Sequence, residues 1–232
     1  MDKYEFEQGR HIHTLNGKPL MGVTTVLSVI SKPALIQWSA NMAVDYIENN
    51  FPTFEQLYKG EATLIDLFKI ARTAHRIKKE KAGDWGTELH KAIENYVKGK
   101  GETPFEGTQK EAFGNFANWA LENKVEFLES EKHIWSREYW IGGICDLVIR
   151  INGKKYIADV KTSSGIYNEH FFQMAAYDLC LSEMGEKDIE GYIVINLKKD
   201  GTIQTKTVTD MLQNKEAFKA ALTLYRIINS LK

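Results

Sequence analysis

The sequence predicts an α/β protein in which a helix-rich N-terminal half precedes a small central mixed β-sheet flanked by helices. In the first half, apolar residues recur at spacings of three and four, the period of an amphipathic helix. After residue 132 the pattern changes to short runs rich in Ile, Val and Tyr, which favour strands. The dipeptide Asn152-Gly153 joins two of these runs and predicts a tight hairpin.

The same patterns predict the order of the elements. The alternation in Tyr4–Glu7 and His11–Leu15 predicts an N-terminal hairpin, and Gly83 with Asp84 predicts a break between two helices. The expected helices are at 35–47, 62–81, 84–98, 109–128, 168–183 and 214–231, with a loop at 99–107 and strands at 133–139, 144–151, 155–161, 191–197 and 202–208.

Length and composition restrict the class of protein. A chain of 232 residues without repeats or a clear linker predicts one domain over residues 1–232, with a hairpin and helical part over 1–83 and the core over 84–232. The 30 Lys and Arg residues balance 31 Asp and Glu residues, so bulk charge does not favour a polyanion-binding protein. Any contact with nucleic acid must therefore come from a local patch.

No feature of the sequence indicates export or a membrane. The N-terminus lacks the basic and apolar regions of a signal peptide, and no window approaches the roughly 20 apolar residues of a membrane span. We therefore expect a cytoplasmic protein of a bacterium or a phage-infected cell. Cys145 and Cys180 are too few for a four-cysteine zinc or iron–sulfur site, and their apolar surroundings predict reduced, buried side chains.

Charged residues interrupt the two strands that the Asn152-Gly153 turn connects. Asp146 lies in the first, and Asp159 and Lys161 lie on one face of the second because they are two residues apart. A two-residue turn centred on Asn152-Gly153 places Asp146 opposite Asp159, with Cβ atoms about 4.5–5.5 Å apart.

Two carboxylates at that distance repel each other unless a cation lies near them. Carboxylate oxygens suit Mg²⁺ or Mn²⁺, so the pair predicts a site for one or two such ions, with Lys161 beside it. The alternative is a buried ion pair between Asp159 and Lys161, with Asp146 turned to solvent.

The pieces GGICDLV, YIADVKTSS and FFQMAAYDL resemble the core of the PD-(D/E)XK nuclease superfamily. The resemblance is to its RecB-like exonuclease branch of phage type, similar to the RecB nuclease domain and the mitochondrial genome maintenance exonuclease. It is strongest over residues 84–197 and implies a restriction-endonuclease-like core. Some relatives hold an iron–sulfur cluster on four cysteines, which this chain lacks, so we expect none here.

The resemblance also implies roles for individual residues. The implied catalytic residues are Asp146, Asp159, Lys161, Gln173 and Tyr177, and the implied metal ligands are His90, Asp146, Asp159 and the carbonyl of Val160. His90 lies at the edge of its helix's apolar stripe, where a boundary histidine is the alternative, and Gln173 and Tyr177 could form an amphipathic boundary. Glu94 and Glu138 are weaker candidates for a supporting role.

A basic stripe precedes His90 along the chain. Arg72, Arg76 and Lys79 are spaced to share one face of a helix, which predicts contacts to DNA phosphates. Trp85 could stack a base of a single strand. The alternative for the three basic residues is a charged helix face in contact with solvent. The alternative for Trp85 is packing in the core. With Gln173 and Tyr177, these residues form the predicted DNA-binding set.

The sequence thus predicts a Mg²⁺- or Mn²⁺-dependent deoxyribonuclease, with an exonuclease on single-stranded DNA or DNA ends as the first expectation. A recombination or single-strand-binding protein is a possible partner. One alternative is a structure-specific endonuclease on the same core. The other is a non-catalytic DNA-binding or assembly subunit that retains the fold.

Overall fold

The computed structural model describes residues 2–101 and 105–230, and only the backbone of residue 82. Part of the expected loop at 99–107, and Leu231 of the expected last helix, lie outside the described residues. The chain forms two compact units. One comprises Met1–Ile30 and Leu89–Lys232, and the other comprises Ser31–Glu88.

The described residues form nine strands and eight α-helices. The strands are β1 Tyr4–Glu7, β2 Ile12–Leu15, β3 Lys18–Pro19, β4 Met21–Gly22, β5 Glu126–Ser136, β6 Ile141–Ile151, β7 Lys154–Lys161, β8 Ile189–Leu197 and β9 Ile203–Val208. The helices are α1 Val23–Val26, α2 Pro33–Asn50, α3 Phe54–Tyr58, α4 Leu64–Ala71, α5 Ala74–Val97, α6 Gly107–Glu122, α7 Asn168–Glu183 and α8 Leu212–Ser230.

The first unit contains a mixed six-stranded sheet in the order β4-β6-β7-β8-β9, with β5 also paired to β6. The β4–β6 and β7–β8 pairs are parallel, whereas β5–β6, β6–β7 and β8–β9 are antiparallel. Helices flank this sheet, so the predicted α/β class with a central mixed sheet is confirmed. Strands β1–β3 form a separate small antiparallel sheet, which contains the predicted N-terminal hairpin.

The core of the first unit forms where α7 crosses the sheet. Val148, Ile157 and Val194, from three adjacent strands, are buried together with Met174 and Ala175 of α7. Strands in the middle of a sheet that is covered by helices favour β-branched residues, because these pack well on a pleated surface. Both cysteines are buried and free of disulfide bonds, as predicted.

The hairpin register is confirmed over its paired length. Asn152 and Gly153 have φ of 49° and 81°, the left-handed values that a tight two-residue hairpin turn needs. The pairs between Leu147 with Ala158 and Ile151 with Lys154 follow the register centred on this turn.

Several element boundaries differ from the sequence prediction. The expected break at Gly83 and Asp84 is wrong, because α5 continues through both residues. A glycine inside a helix costs only about 1 kcal/mol relative to alanine, which helix-favouring neighbours can offset. The chain instead breaks at Arg72 and Thr73, between α4 and α5.

The predicted helix over 109–128 also ends too late. Helix α6 stops at Glu122, and Lys124 adopts a left-handed φ of 50° before β5 begins at Glu126. Strand β5 therefore starts seven residues earlier than the expected strand at 133–139. Its bulge between Phe127 and Glu129 interrupts the alternation by which a strand is recognised.

The second unit is helical and contains α2, α3, α4 and the first part of α5. Pro33 begins α2, two residues before the expected start, and the Thr53 and Thr63 side chains cap α3 and α4. Among residues 2–101 and 105–230, no helix combines the length and hydropathy that crossing a membrane requires.

Candidate active site

The candidate site lies where β7 separates from β6. Strand β5 pairs along one edge of β6, so β4 and β7 share the other edge. On that edge, β4 pairs with Ile141 and Gly142, and the β7 ladder stops at Leu147. The carboxylate of Asp146, one residue beyond, accepts a hydrogen bond of 2.9 Å from the backbone N–H of Val160. Where the two strands separate, the Asp146 side chain thus takes the place of a β6 backbone carbonyl as the hydrogen-bond partner of the Val160 N–H.

The registers of three strands bring three acidic positions into one row. Asp146 and Asp159 follow the last β6–β7 pair, Leu147 with Ala158, and the direct cross-strand pairing predicted for them is not part of the ladder. On the other side of β6, Glu131 lies between the pairs of Ser130 with Leu147 and Lys132 with Cys145, at the level of Asp146. Glu131 was missed by the sequence prediction, which placed its segment between a helix and a later strand.

Asp159 is fully buried and is held mainly by a cation. Its Oδ2 lies 2.6 Å from Nζ of Lys161, yet this oxygen makes no well-aligned hydrogen bond. Its Oδ1 accepts a long bond of 3.4 Å from the amide of Gln173, whose Oε1 accepts one of 3.1 Å from Lys161. The ion pair of the alternative interpretation is therefore present. Asp146 is not turned to solvent, however, because its side chain is only 15% exposed.

The predicted pair Gln173 and Tyr177 lies on α7 beside this ion pair. The Gln173 amide lies 2.5 Å from the Tyr177 hydroxyl, so the two residues and Lys161 form one polar chain. Gly143 of β6 makes room for the tyrosine ring, since a Cβ there would come within 3.0 Å of Tyr177 Cε1. The glycine pair of GGICDLV therefore has a packing role, which the sequence alone did not reveal.

Three residues could share a metal ion. His90, Glu131 and Asp146 each offer one ligand atom, and these atoms lie within 4.8 Å of one another. His90 Nδ1 is 3.7 Å from Asp146 Oδ2. Two ligands on opposite sides of one Mg²⁺ ion lie about 4.2 Å apart, so small side-chain movements would close the cluster around an ion. Nitrogen and carboxylate oxygen donors fit Mn²⁺ and, less closely, Mg²⁺.

Two carboxyl groups of the site, those of Asp159 and Glu131, have raised pKa values. Burial raises the pKa of Asp159 to about 6, with Lys161 opposing the shift and Asp146 adding to it. Burial and then the charge of Asp146 raise the pKa of Glu131 to about 7. Burial works against the charged form of Lys161, but Asp159 and then Asp146 outweigh it and raise its pKa. This crowding of negative charge is what a bound cation would relieve.

Glu94 and Glu138, the weaker candidates for a supporting role, lie outside the cluster of His90, Glu131 and Asp146. Glu94 is bound by Lys91 and Lys98, both at 2.7 Å, which hold the pKa of its carboxyl at about 2. Glu138 is exposed in the turn after β5, where its backbone N–H bonds to Glu183.

The predicted basic stripe belongs to the second unit. Arg76 and Lys79 are exposed on α5, whereas Arg72 lies in the turn before it, so the expected single helical face for all three is wrong. The capping residues at the end of α4 interrupt the helix there. Trp85 is half-buried on α5. The role of these four residues in DNA binding stays a prediction.

Comparison with known proteins gives little. No family model matches the chain, and no curated protein matches it. One similar solved structure is that of SSO0001, with 22% sequence identity and a TM-score of 0.30 over 49% of this chain. This chain spans 57% of the length of that structure. A likeness at this level carries no argument about fold or function.

Proposed function

We propose that this chain is a metal-dependent deoxyribonuclease with a restriction-endonuclease-like core of the PD-(D/E)XK type. The observation that carries the proposal is the junction of β6 and β7, where Asp146, Asp159 and Lys161 meet His90 from α5. Asp159 is a buried carboxylate with few hydrogen bonds, and Asp146 is a second carboxylate beside it. Such a pair can hold a divalent cation, whereas it does little to stabilise a fold.

The proposed ligands are His90, Asp146, Asp159 and the Val160 carbonyl. A bound Mg²⁺ or Mn²⁺ ion would polarise the scissile phosphate and lower the pKa of an attacking water. The hydrogen bond from Val160 to Asp146 fixes the carboxylate next to the β7 backbone. His90 can supply one ring nitrogen, and its Nδ1 is the atom that approaches Asp146.

Lys161 is the proposed electrostatic catalyst. Its ammonium is held between Asp159 and Gln173, so it is positioned before substrate arrives. From there it can orient the attacking water or stabilise the negative charge that develops on the phosphate. Asn196 of β8 restrains the chain after Lys161, because it accepts a bond of 3.0 Å from the Ser163 N–H and donates one of 3.1 Å to the Ser163 carbonyl.

Gln173 and Tyr177 are proposed to position Lys161 and to contact the DNA backbone. The expected products carry a 5′-phosphate and a 3′-hydroxyl. An exonuclease on single strands or DNA ends remains the first choice. Arg72, Arg76, Lys79 and Trp85 are the proposed further contacts to the strand.

Digestion of end-labelled single- and double-stranded DNA in Mn²⁺ tests the proposal. We expect wild type to cut, and Lys161→Ala to lose about 10²–10³-fold in turnover, the usual cost of removing a charge-stabilising group. Equal activity of the two proteins would contradict the assigned mechanism. Lys219→Ala, which removes an exposed lysine paired to Glu216, is the matched control and should retain activity.

A circular single-stranded substrate separates the alternatives. Cutting of the circle would show an endonuclease, whereas digestion of linear strands alone supports an exonuclease. Wild type that leaves every DNA and RNA substrate intact in Mn²⁺ would instead favour the binding subunit.

A further inference from the structure

We infer that the Glu131 carboxylate is a ligand of the metal site, so that β5 contributes to the site alongside β6 and β7. The inference rests on the proposed function and adds a residue that the family resemblance did not supply. Three independent features of the molecule support it: the position of Glu131, the local balance of charge and the backbone conformation.

Position is the first argument. Glu131 offers an oxygen within 4.8 Å of ligand atoms from His90 and Asp146. The same cluster does not include Asp159, whose Oδ2 faces the Lys161 ammonium. Among the described residues, the three side chains best arranged to enclose one ion are therefore His90, Glu131 and Asp146.

Charge balance is the second argument. Lys161 compensates Asp159 at 2.6 Å. Asp146 accepts a neutral backbone N–H, whereas Glu94 of α5 is held by Lys91 and Lys98. Glu131 and Asp146 are thus two neighbouring acidic side chains, and a divalent ion that binds both as carboxylates would neutralise their charge.

The backbone is the third argument. Glu131 has a φ of 52° inside an eleven-residue strand, although the β5–β6 register is the same on both sides of it. A non-glycine residue in this left-handed region costs on the order of 1–3 kcal/mol, and residues strained in this way are enriched at functional sites. The distortion falls at the level of Asp146, the residue that Glu131 would join on the ion.

Titration of the full-length chain with Mn²⁺, followed by the electron paramagnetic resonance of free Mn²⁺, tests the inference without DNA. We expect Glu131→Gln to weaken Mn²⁺ binding by at least about tenfold, the range seen when groups that support a metal site are removed. Glu129→Gln is the matched control: Glu129 is an exposed residue of the same strand, bonded to Lys132, and its variant should bind as wild type does.

Glu131→Gly is a second variant that keeps the test decisive if Glu131→Gln does not fold. Glycine adopts the φ of 52° without strain and removes the ligand, so this variant should fold and show the same loss of Mn²⁺ affinity. Unchanged affinity in either folded variant would overturn the inference. If wild type binds Mn²⁺ and cuts DNA in that case, the proposed function stands. If wild type neither binds Mn²⁺ nor cuts DNA, both are overturned.

Discussion

Two buried aspartates of the same unit, Asp159 and Asp178, have opposite surroundings. Asp178, 2% exposed, accepts bonds from Ser182 at 3.1 Å and Tyr192 at 2.7 Å, and lies 2.7 Å from Lys215 Nζ. Asp159, 0% exposed, has one long hydrogen bond and one ion pair, and a second carboxylate lies nearby. Both face a lysine, but only Asp178 has both oxygens well bonded.

The difference separates a structural carboxylate from a candidate functional one. A fold that must bury an aspartate normally satisfies it, because an unpaired buried polar group costs about 1–3 kcal/mol. Asp178 ties α7 to β8 and α8 in this way. The incomplete bonding of Asp159 leaves capacity for a cation, and matched substitutions in the two regions should separate stability from activity.

The largest expected difference between the two regions is that Asp146→Asn affects DNA cleavage, whereas Asp178→Asn affects stability. Asp146→Asn should lose at least about 10³-fold in DNA cleavage, because several kcal/mol of metal-derived stabilisation disappear. Asp178→Asn should keep its activity per folded molecule but lose about 2–3 kcal/mol of stability, since Lys215 then lacks its charged partner.

Stability is measured by urea unfolding without metal, and activity on folded protein with Mn²⁺. Asp146→Asn should be at least as stable as wild type under these conditions, because it removes repulsion with Glu131 and Asp159. Loss of stability in Asp146→Asn, or loss of activity in Asp178→Asn, would erase the distinction between the two regions.

The pH dependence of stability should also come from the candidate site. The pKa of Glu131 is raised from 4.5 to about 7, and that of Asp159 from 3.8 to about 6. A raised acid pKa means that the folded state binds the proton more tightly than the unfolded state does. The contribution of each carboxyl group to the free energy of unfolding is therefore full below its ordinary pKa, and it is lost as pH rises through the raised pKa.

Thermal melts of the metal-free protein should therefore show stability falling between about pH 4 and pH 7, and Mn²⁺ should restore it at the upper end. Glu131→Gln should flatten this dependence. A profile that is the same in wild type and Glu131→Gln would show that Glu131 titrates normally.

The smallest expected difference between the two regions is between removal of the Tyr177 hydroxyl and removal of the Tyr192 hydroxyl. Tyr177→Phe removes the partner of Gln173 and should lower activity about fivefold, the effect of roughly 1 kcal/mol. Tyr192→Phe removes a bond to Asp178 and should lower stability by about 1 kcal/mol without changing activity. Assays and urea melts on both variants check the pair, and a reversed outcome would place Tyr177 in the structural group.

Much of the central sheet could be predicted because its signals are local. The Asn152-Gly153 turn fixes the β6–β7 register, and the runs around it are apolar and β-branched. Helix α7 was predicted at 168–183, its observed bounds. The helix break at Gly83 failed because one glycine is a weak signal that a long helix tolerates.

The candidate site was only partly predictable. The spacing of Asp159 and Lys161 and the turn register specify one row of charges, which any antiparallel hairpin of this sequence would form. Glu131 could not be found in this way, because the bulge after Phe127 and the left-handed φ at Glu131 break the two-residue period.

The sequence by itself determined which side chains share a face of β6 and β7, since alternation and turn geometry act over a few residues. The tertiary structure decided which charges meet across the sheet and from α5 and α7. His90, Glu131 and Gln173 reach Asp146 and Asp159 only because strands and helices distant in sequence pack together. Burial in that packed environment, which no local pattern encodes, is what raises the pKa of Asp159 and leaves its Oδ2 without a hydrogen bond.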